Sequence, residues 1–258
     1  MPSSDKTPVK TALVTGASRG LGRATALALA KNGNDVIITY VSNKAAADEV
    51  VTAIEALGRR AVALPLDSGK VSTFAAFTTA LGRVLAETWS VDHFDFLVNN
   101  AGIGIHAPFA QTTEAQFDEL MNVQFKGVFF LTQALLPLIA DGGRIVNLSS
   151  GLTRFSTAGY AAYASMKGAI EVLTRYLAVE LGARKIGVNT FAPGAIATDF
   201  SGGVVRDNEN VNAHIASVTA LGRVGLPEDI GPAIASLLSD DNRWINAQRI
   251  EASGGQML

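Results

Sequence analysis

Lys10-Thr11-Ala12-Leu13-Val14-Thr15-Gly16-Ala17-Ser18-Arg19-Gly20-Leu21-Gly22, running on into the helical pattern Arg23 to Lys31, is the stretch on which the reading of this chain turns. A short apolar run leads into a turn with three glycines, and the turn leads directly into a helix. Glycines in that place permit a tight reversal and let the backbone approach a pyrophosphate, whose charge the positive end of the helix favours. A glycine-rich turn without a ligand is the plain alternative. Chance produces the T-G-x-x-x-G-x-G string in roughly one such chain in fifty, and the strand-to-helix setting makes that rarer. Gly16, Ser18, Arg19, Gly20, Leu21 and Gly22 are therefore candidate cofactor contacts.

Working outward, similar short runs recur at Asp35 to Tyr40, Arg60 to Leu66, Phe94 to Val98, Arg144 to Leu148, Gly187 to Phe191 and Gln248 to Ala252. With Lys10 to Val14 they predict seven strands. They are apolar on both faces and separated by helix-length segments, the pattern of a parallel sheet covered by helices on either side. A doubly wound α/β fold follows. Thr113 with Gln116 forms a capping box, and Pro227 before Glu228 and Asp229 starts the last long helix. Ala195 to Leu221 has weak periodicity, and its Ser201-Gly202-Gly203 suggests a mobile substrate lid.

A chain of 258 residues with 48% hydrophobic content can bury one large core, so residues 9–258 are expected to form a single domain behind a flexible N-terminal segment, residues 1–8. A net charge of -2 offers no basic stripe for a phosphate backbone, which argues against a nucleic-acid partner. The absence of cysteine excludes disulfides, thiolate metal sites and cysteine nucleophiles, and His93, His106 and His214 show no ligand spacing, so no metal site is expected. Met1 to Pro8 lacks the apolar core of a signal peptide and no segment is long enough to span a bilayer, which points to a cytoplasmic protein with no membrane partner.

The end of the second strand should meet an adenosine ribose, where NAD-binding proteins commonly place an acid. Tyr40, Val41, Ser42 and Asn43 hold no carboxylate, and Arg19 supplies a cation suited to a 2′-phosphate, so NADP(H) is favoured over NAD(H). Tyr163 and Lys167 stand four residues apart in a helical segment, about 40° apart on one face and roughly 6 Å along the axis, so an ammonium can sit near the phenol. A three-unit drop of the phenol pKa needs roughly 4 kcal/mol, which Lys167 and a positive nicotinamide could supply together. The pair alone is weak evidence, because Lys167, Glu171 and Arg175 also read as a solvated stripe of ion pairs. Ser149 and Ser150 close the fifth strand, where open parallel sheets place their ligands; a turn-capping serine is the bland reading of Ser150.

With these motifs in register, the chain resembles the single-domain short-chain dehydrogenases/reductases, of the 3-oxoacyl-carrier-protein-reductase type, from about Lys10 to Gly255. Asn99-Asn100-Ala101-Gly102, Asn122, Tyr163-Ala164-Ser165-Met166-Lys167 and Pro193-Gly194-Ala195-Ile196-Ala197-Thr198 carry the likeness. It implies a Rossmann fold with Tyr163 as general acid, Ser150 orienting the carbonyl, Lys167 on the nicotinamide ribose and Asn122 holding a relay water. It further implies Asp67 and Ser68 at the adenine and Asn99, Ala101 and Gly102 along its ribose. Pro193 and Gly194 would lie on the cofactor, with Ile196 and Thr198 at the carboxamide. A departure is Ile250-Glu251-Ala252-Ser253-Gly254-Gly255, where relatives usually place valine and aspartate before the two glycines.

The expected activity is hydride transfer between NADP(H) and a small-molecule carbonyl or secondary alcohol. The competing class is a non-catalytic NADP(H)-binding sensor or scaffold of the same fold. Sugar-nucleotide epimerisation usually needs a larger C-terminal region. The pocket is expected from Gly151 to Tyr160, Ile105, His106 and the lid, with Leu152, Phe155, Tyr160 and Phe200 giving an apolar lining open to ketones, 3-oxoacyl thioesters or sugars. The helices Ala161 to Gly182 and Thr113 towards Pro137 carry apolar residues on more than one face, which, with the family's habit, points to a homotetramer or homodimer.

Overall fold

A computed structural model describes residues 9–258; the segment 1–8 lies outside them. Seven strands form one parallel sheet in the order β3-β2-β1-β4-β5-β6-β7. They are β1 (Thr11–Val14), β2 (Asp35–Tyr40), β3 (Ala61–Pro65), β4 (Phe94–Asn99), β5 (Ile139–Leu148), β6 (Gly187–Pro193) and β7 (Arg249–Ala252). The helices are α1 (Gly20–Lys31), α2 (Lys44–Glu55), α3 (Phe74–Val84), α4 (Glu114–Met121), α5 (Gly127–Leu135), α6 (Ala161–Glu180), α7 (Val204–Asp207), α8 (Glu209–Ser217) and α9 (Pro227–Leu237).

The alternation of the strand side chains accounts for the two-sided cover. Ala12, Val14, Val36, Ile38, Phe96, Val98, Val146 and Leu148 pack with Ala26, Leu29, Val50, Ile54, Ile230 and Ile234 on one face, that of α1, α2 and α9. Leu13, Ile37, Leu97, Ile145 and Val188 pack with Phe77, Leu81, Leu131, Leu135 and Ala178 on the other, that of α3, α5 and α6. Strand order reverses between β1 and β4, so a crevice opens at their C-terminal ends. All the candidate site residues lie at this end of the sheet. At the opposite end, buried Asp35 takes hydrogen bonds from Arg59, Arg60 and Trp89. Burial alone would raise its pKa; these donors together hold it below the usual carboxylate value.

Two segments differ from the sequence expectation. β5 begins at Ile139, not Arg144, because Phe94 pairs with Ile139 and Phe96 with Arg144 around an irregularity that absorbs Asp141-Gly142-Gly143. The segment from Ala195 to Leu221 is largely helical. Its helices are too short to show a period, and the capping that starts α8, Val211 N–H donating to Asn208 Oδ1 at 3.1 Å, is a single contact. Ser201, Gly202 and Gly203, at φ 52°, 73° and 77°, make the reversal that leads into α7.

Candidate active site

The glycine turn and the segment after β4 are built as one unit. Thr15 Oγ1 accepts from Asn100 N at 3.0 Å and Ala101 N at 2.9 Å, while Asn100 Nδ2 donates to the carbonyls of Thr15 at 2.9 Å and Gly16 at 3.2 Å. A Cβ on Gly16 would stand 2.9 Å from Ala101 Cα, and one on Gly22 would stand 2.7 Å from Ala17 Cα, so neither tolerates a side chain. Gly20 differs: a Cβ there would make only ordinary contact with Thr198 at 3.8 Å, and it is the left-handed φ of +55° that calls for glycine. The first turn of α1 holds no acidic residue. The result is a row of backbone amides at a helix N-terminus with no acid in its first turn, a setting that suits a phosphate.

Arg19 extends from this turn, 73% exposed, and lies 3.7 Å from Asp199 in the segment after β6. Ser42 and Asn43 are exposed at the end of β2, with Tyr40 half-buried above the core. Asn43 also caps α2, its Oδ1 accepting from Ala46 N at 3.0 Å. Asp67 closes its own turn through Gly69 N at 3.0 Å and pairs with Lys70 at 3.1 Å; Ser68 beside it is buried. Pro193 ends β6 opposite Ala252, and Gly194 N donates to the Ala252 carbonyl at 3.1 Å. Ile196 bridges to Gly225, and Thr198, accepting from Phe200 N at 3.2 Å, faces the glycine turn.

Across the crevice, Tyr163 sits in the first turn of α6 and Lys167 one turn on, both buried. Lys167 Nζ donates to the Leu148 carbonyl at 2.8 Å and lies 5.7 Å from the centre of the Tyr163 ring. The solvated-stripe reading therefore fails for Lys167, and burial depresses its pKa to about 7. Burial drives the Tyr163 phenol above its ordinary value, opposed by a hydrogen bond with Ser150. Without a nicotinamide charge beside it the phenol is held protonated, because its removal from water outweighs the help of Ser150. Ser150 has both characters considered for it: its Oγ accepts from Leu152 N at 3.2 Å, capping a short 3-10 turn, and it contacts Tyr163.

Rings surround the phenol. Tyr163 meets Tyr160 and Phe200 edge-on at 6.4 and 5.9 Å, and His106 meets Tyr160 at 5.1 Å. Ile105 and Leu152 pack into the same cluster, whereas Phe155 lies beside Gly151 and under Arg154.

Asn99 and Asn122 have the following places. Asn99 turns its side chain into the helix layer, donating to Asn147 Oδ1 at 2.8 Å and Thr132 Oγ1 at 3.0 Å, so only its backbone lies along the crevice with Ala101 and Gly102. Asn122 opens a π-helical turn, Asn122–Lys126, and among the described residues no hydrogen bond joins its side chain to Ser150, Tyr163 or Lys167. Gln124 in the same turn is fully buried, its Nε2 donating to the Ile103 carbonyl beside Gly102. Gln124, Thr15 and Asn100 were missed from sequence; the paired asparagines and the threonine before Gly16 were the available signal for the last two.

Comparison with known proteins agrees with this geometry. A family profile described as enoyl-(acyl carrier protein) reductase matches residues 16–256. The hydroxynaphthalene reductase-like protein Arp2 of Metarhizium brunneum is 37% identical over 273 aligned positions, covering 100% of each chain. The structure of LugOII, described as a promiscuous reductase catalysing keto-reduction at C1 in lugdunomycin biosynthesis, superposes with a TM-score of 0.91 at 39% identity, over 96% of this chain and 98% of that one. The angucycline C-6 ketoreductase LanV, solved with bound NADP, superposes with a TM-score of 0.91 at 38% identity, over 96% and 95%. The chain belongs to the short-chain dehydrogenase/reductase family. It is an oxidoreductase acting on carbonyl or alcohol groups.

Proposed function

We propose that this enzyme uses NADPH to reduce a ring ketone carried on a fused aromatic substrate, with Tyr163 giving the proton. The observation that carries the reading is a protonated, buried phenol in contact with the Ser150 hydroxyl and walled by Tyr160, Phe200 and His106. Flat faces of that kind favour a planar aromatic substrate by edge and stacking contacts worth about 0.5–1.5 kcal/mol each. The kinds of substrate named for Arp2 and LanV support the same choice.

The glycine turn, where Gly16 and Gly22 tolerate no side chain, and the acid-free start of α1 fit a dinucleotide pyrophosphate. Gly16, Ser18, Arg19, Gly20, Leu21 and Gly22 would hold it. Arg19, Tyr40, Ser42 and Asn43 would take the 2′-phosphate, and Asp67, Ser68 and the backbone of Asn99, Ala101 and Gly102 the adenosine. Pro193, Gly194, Ile196 and Thr198, with Tyr163 and Lys167 at the ribose, would hold the nicotinamide end. When bound, the cofactor supplies the hydride. Ser150 orients the substrate oxygen and the Tyr163 Oη proton goes to it, while the Lys167 charge stabilises the phenolate left behind. The segment from Ala195 to Leu221 serves as the lid, and Asn122 would hold a water in the relay.

NADPH oxidation measured with α-tetralone, cyclohexanone, a 3-oxoacyl thioester and an aldose tests the substrate class. α-Tetralone should exceed cyclohexanone about tenfold in kcat/KM, and NADPH should exceed NADH by about tenfold or more, the worth of one charge-assisted contact from Arg19. Equal use of the two ketones overturns the aromatic reading; equal use of the two cofactors overturns the NADP preference.

The outer faces of α5 and α6 support self-association. Phe129, Phe130, Val172, Tyr176 and Val179 are exposed together there, Val179 at 80%. A homotetramer or homodimer should appear by light scattering, and a particle of 26.9 kDa at working concentration would overturn it.

A further inference from the structure

About two helical turns along α6 from the phenol, beside Ser149 and Thr153, four charged side chains alternate in sign. Glu171 Oε1 receives Ser149 Oγ at 2.7 Å, Thr153 Oγ1 at 2.7 Å and Arg249 Nε at 2.8 Å. Arg249 Nη1 donates to Glu251 Oε2 at 2.8 Å, and Arg154 grips Glu251 with Nε at 2.9 Å and Nη2 at 2.7 Å. Ser253 Oγ donates to Glu251 Oε1 at 2.6 Å, and Arg154 continues to the carbonyls of Gln256 at 2.6 Å and Met257 at 3.0 Å. The side chains of Glu171, Arg249 and Glu251 are only 16%, 25% and 18% exposed. Their charges cancel with Arg154, and nearly every donor is used, which is what such a partly buried set requires.

The group converges on one backbone atom. Arg249 Nη2 donates to the Ser150 carbonyl at 3.2 Å, and Thr153 Oγ1 lies 2.9 Å from the same oxygen. The Thr153 hydroxyl has one proton, which either this carbonyl or Glu171 receives, while the oxygen itself accepts from Arg249 Nη2 at 3.1 Å. Glu171 is on α6, the helix that carries Tyr163 and Lys167, and Arg249 is on β7. The fork of Arg249 therefore fixes the backbone of Ser150 against the helix that carries the phenol. The departure at Ser253 belongs to the same arrangement, since Ser253 holds the carboxylate that Glu251 brings in.

We infer that Arg249 and Glu171 are positioning residues for Ser150, holding its hydroxyl in register with Tyr163. The inference rests on the proposed role of Ser150 in orienting the reacting oxygen. A hydroxyl that must sit within about half an ångström of its productive place depends on such support.

The test is a double-mutant cycle between Arg249→Met and Ser150→Ala, read as kcat with the ketone of the panel above that is reduced fastest. Arg249→Met should lower kcat about tenfold with KM for NADPH changed less than about twofold, and should change kcat less than about twofold when Ser150 is already alanine. A merely structural role would lower kcat equally in both backgrounds, and that result, or an unchanged kcat in Arg249→Met, overturns the inference. If Arg249→Met does not fold, Thr153→Val carries the same cycle, removing one hydroxyl from the Ser150 carbonyl at little change of shape. Full turnover by Ser150→Ala alone would overturn the role of Ser150 and the inference with it. A crippled Ser150→Ala protein with an additive Arg249 effect would overturn the inference alone.

Discussion

Replacing Tyr163 by phenylalanine should lower kcat about a thousandfold, the middle of the range for removing a general acid, while the dissociation constant for NADPH changes less than about threefold. The substitution deletes a single oxygen. The ring keeps its edge contacts with Tyr160 and Phe200 and its packing on Leu120 and Met166, so the pocket stays closed around it. What disappears is the proton. Burial raises the phenol above its ordinary pKa against the pull of Ser150, so at neutral pH the group is a filled donor, ready for reduction. The same raised value makes it a poor base for alcohol oxidation until positive charge is brought alongside. Wild-type reduction at pH 7 should accordingly outpace oxidation, and both should vanish together in the variant. Near-normal turnover of Tyr163→Phe would sink this mechanism.

The sheet was legible because each strand is buried twice. Leu13, Ile37 and Leu97 face one helix layer while their neighbours Val14, Ile38 and Val98 face the other, so the runs appear as unbroken apolar blocks between helix-length segments. The boundaries that escaped are those where no such block exists. Ile139 and Ala140 enter the sheet ahead of Asp141-Gly142-Gly143, a triplet that reads as a turn in any one-dimensional account. α7 and α8 have four and nine residues, with too few apolar positions to show a period.

The site divides in a similar way. Contacts made within a motif could be read from spacing: Tyr163 and Lys167 share a helix face, and Thr15 to Gly22 forms a turn whatever surrounds it. Contacts that depend on which way a side chain points could not. Asn99 carries the expected residue type, yet its side chain turns into a buried ladder through Asn147 and Thr174, and the buried Gln124 lies in a π-turn that no spacing announces. The support of Ser150 lies further still from sequence reach, since Glu171 and Arg249 are 78 residues apart and meet only because β7 lies beside β6.

Lys167→Met should abolish most turnover and also remove this residue's rise of stability with pH. Burial depresses the lysine from an ordinary 10.5 to about 7. Between those values the unfolded chain binds the proton more tightly than the folded one, so stability rises with pH through this interval and is lowest below pH about 7, where the buried ammonium is carried at full cost. Removing the charge takes away that penalty, of the order of 4 kcal/mol at pH 6, but leaves the Leu148 carbonyl without its donor, a loss of about 2 kcal/mol at any pH. The variant should therefore be more stable than the parent by roughly 2 kcal/mol at pH 6 and less stable by a similar amount near pH 10, with the two curves crossing between. Urea denaturation at both ends of the range checks this. Parallel stability curves would mean that Lys167 carries no buried charge. A crossing with lost turnover would show that the lysine is kept at the expense of the fold for the charge it holds beside Tyr163.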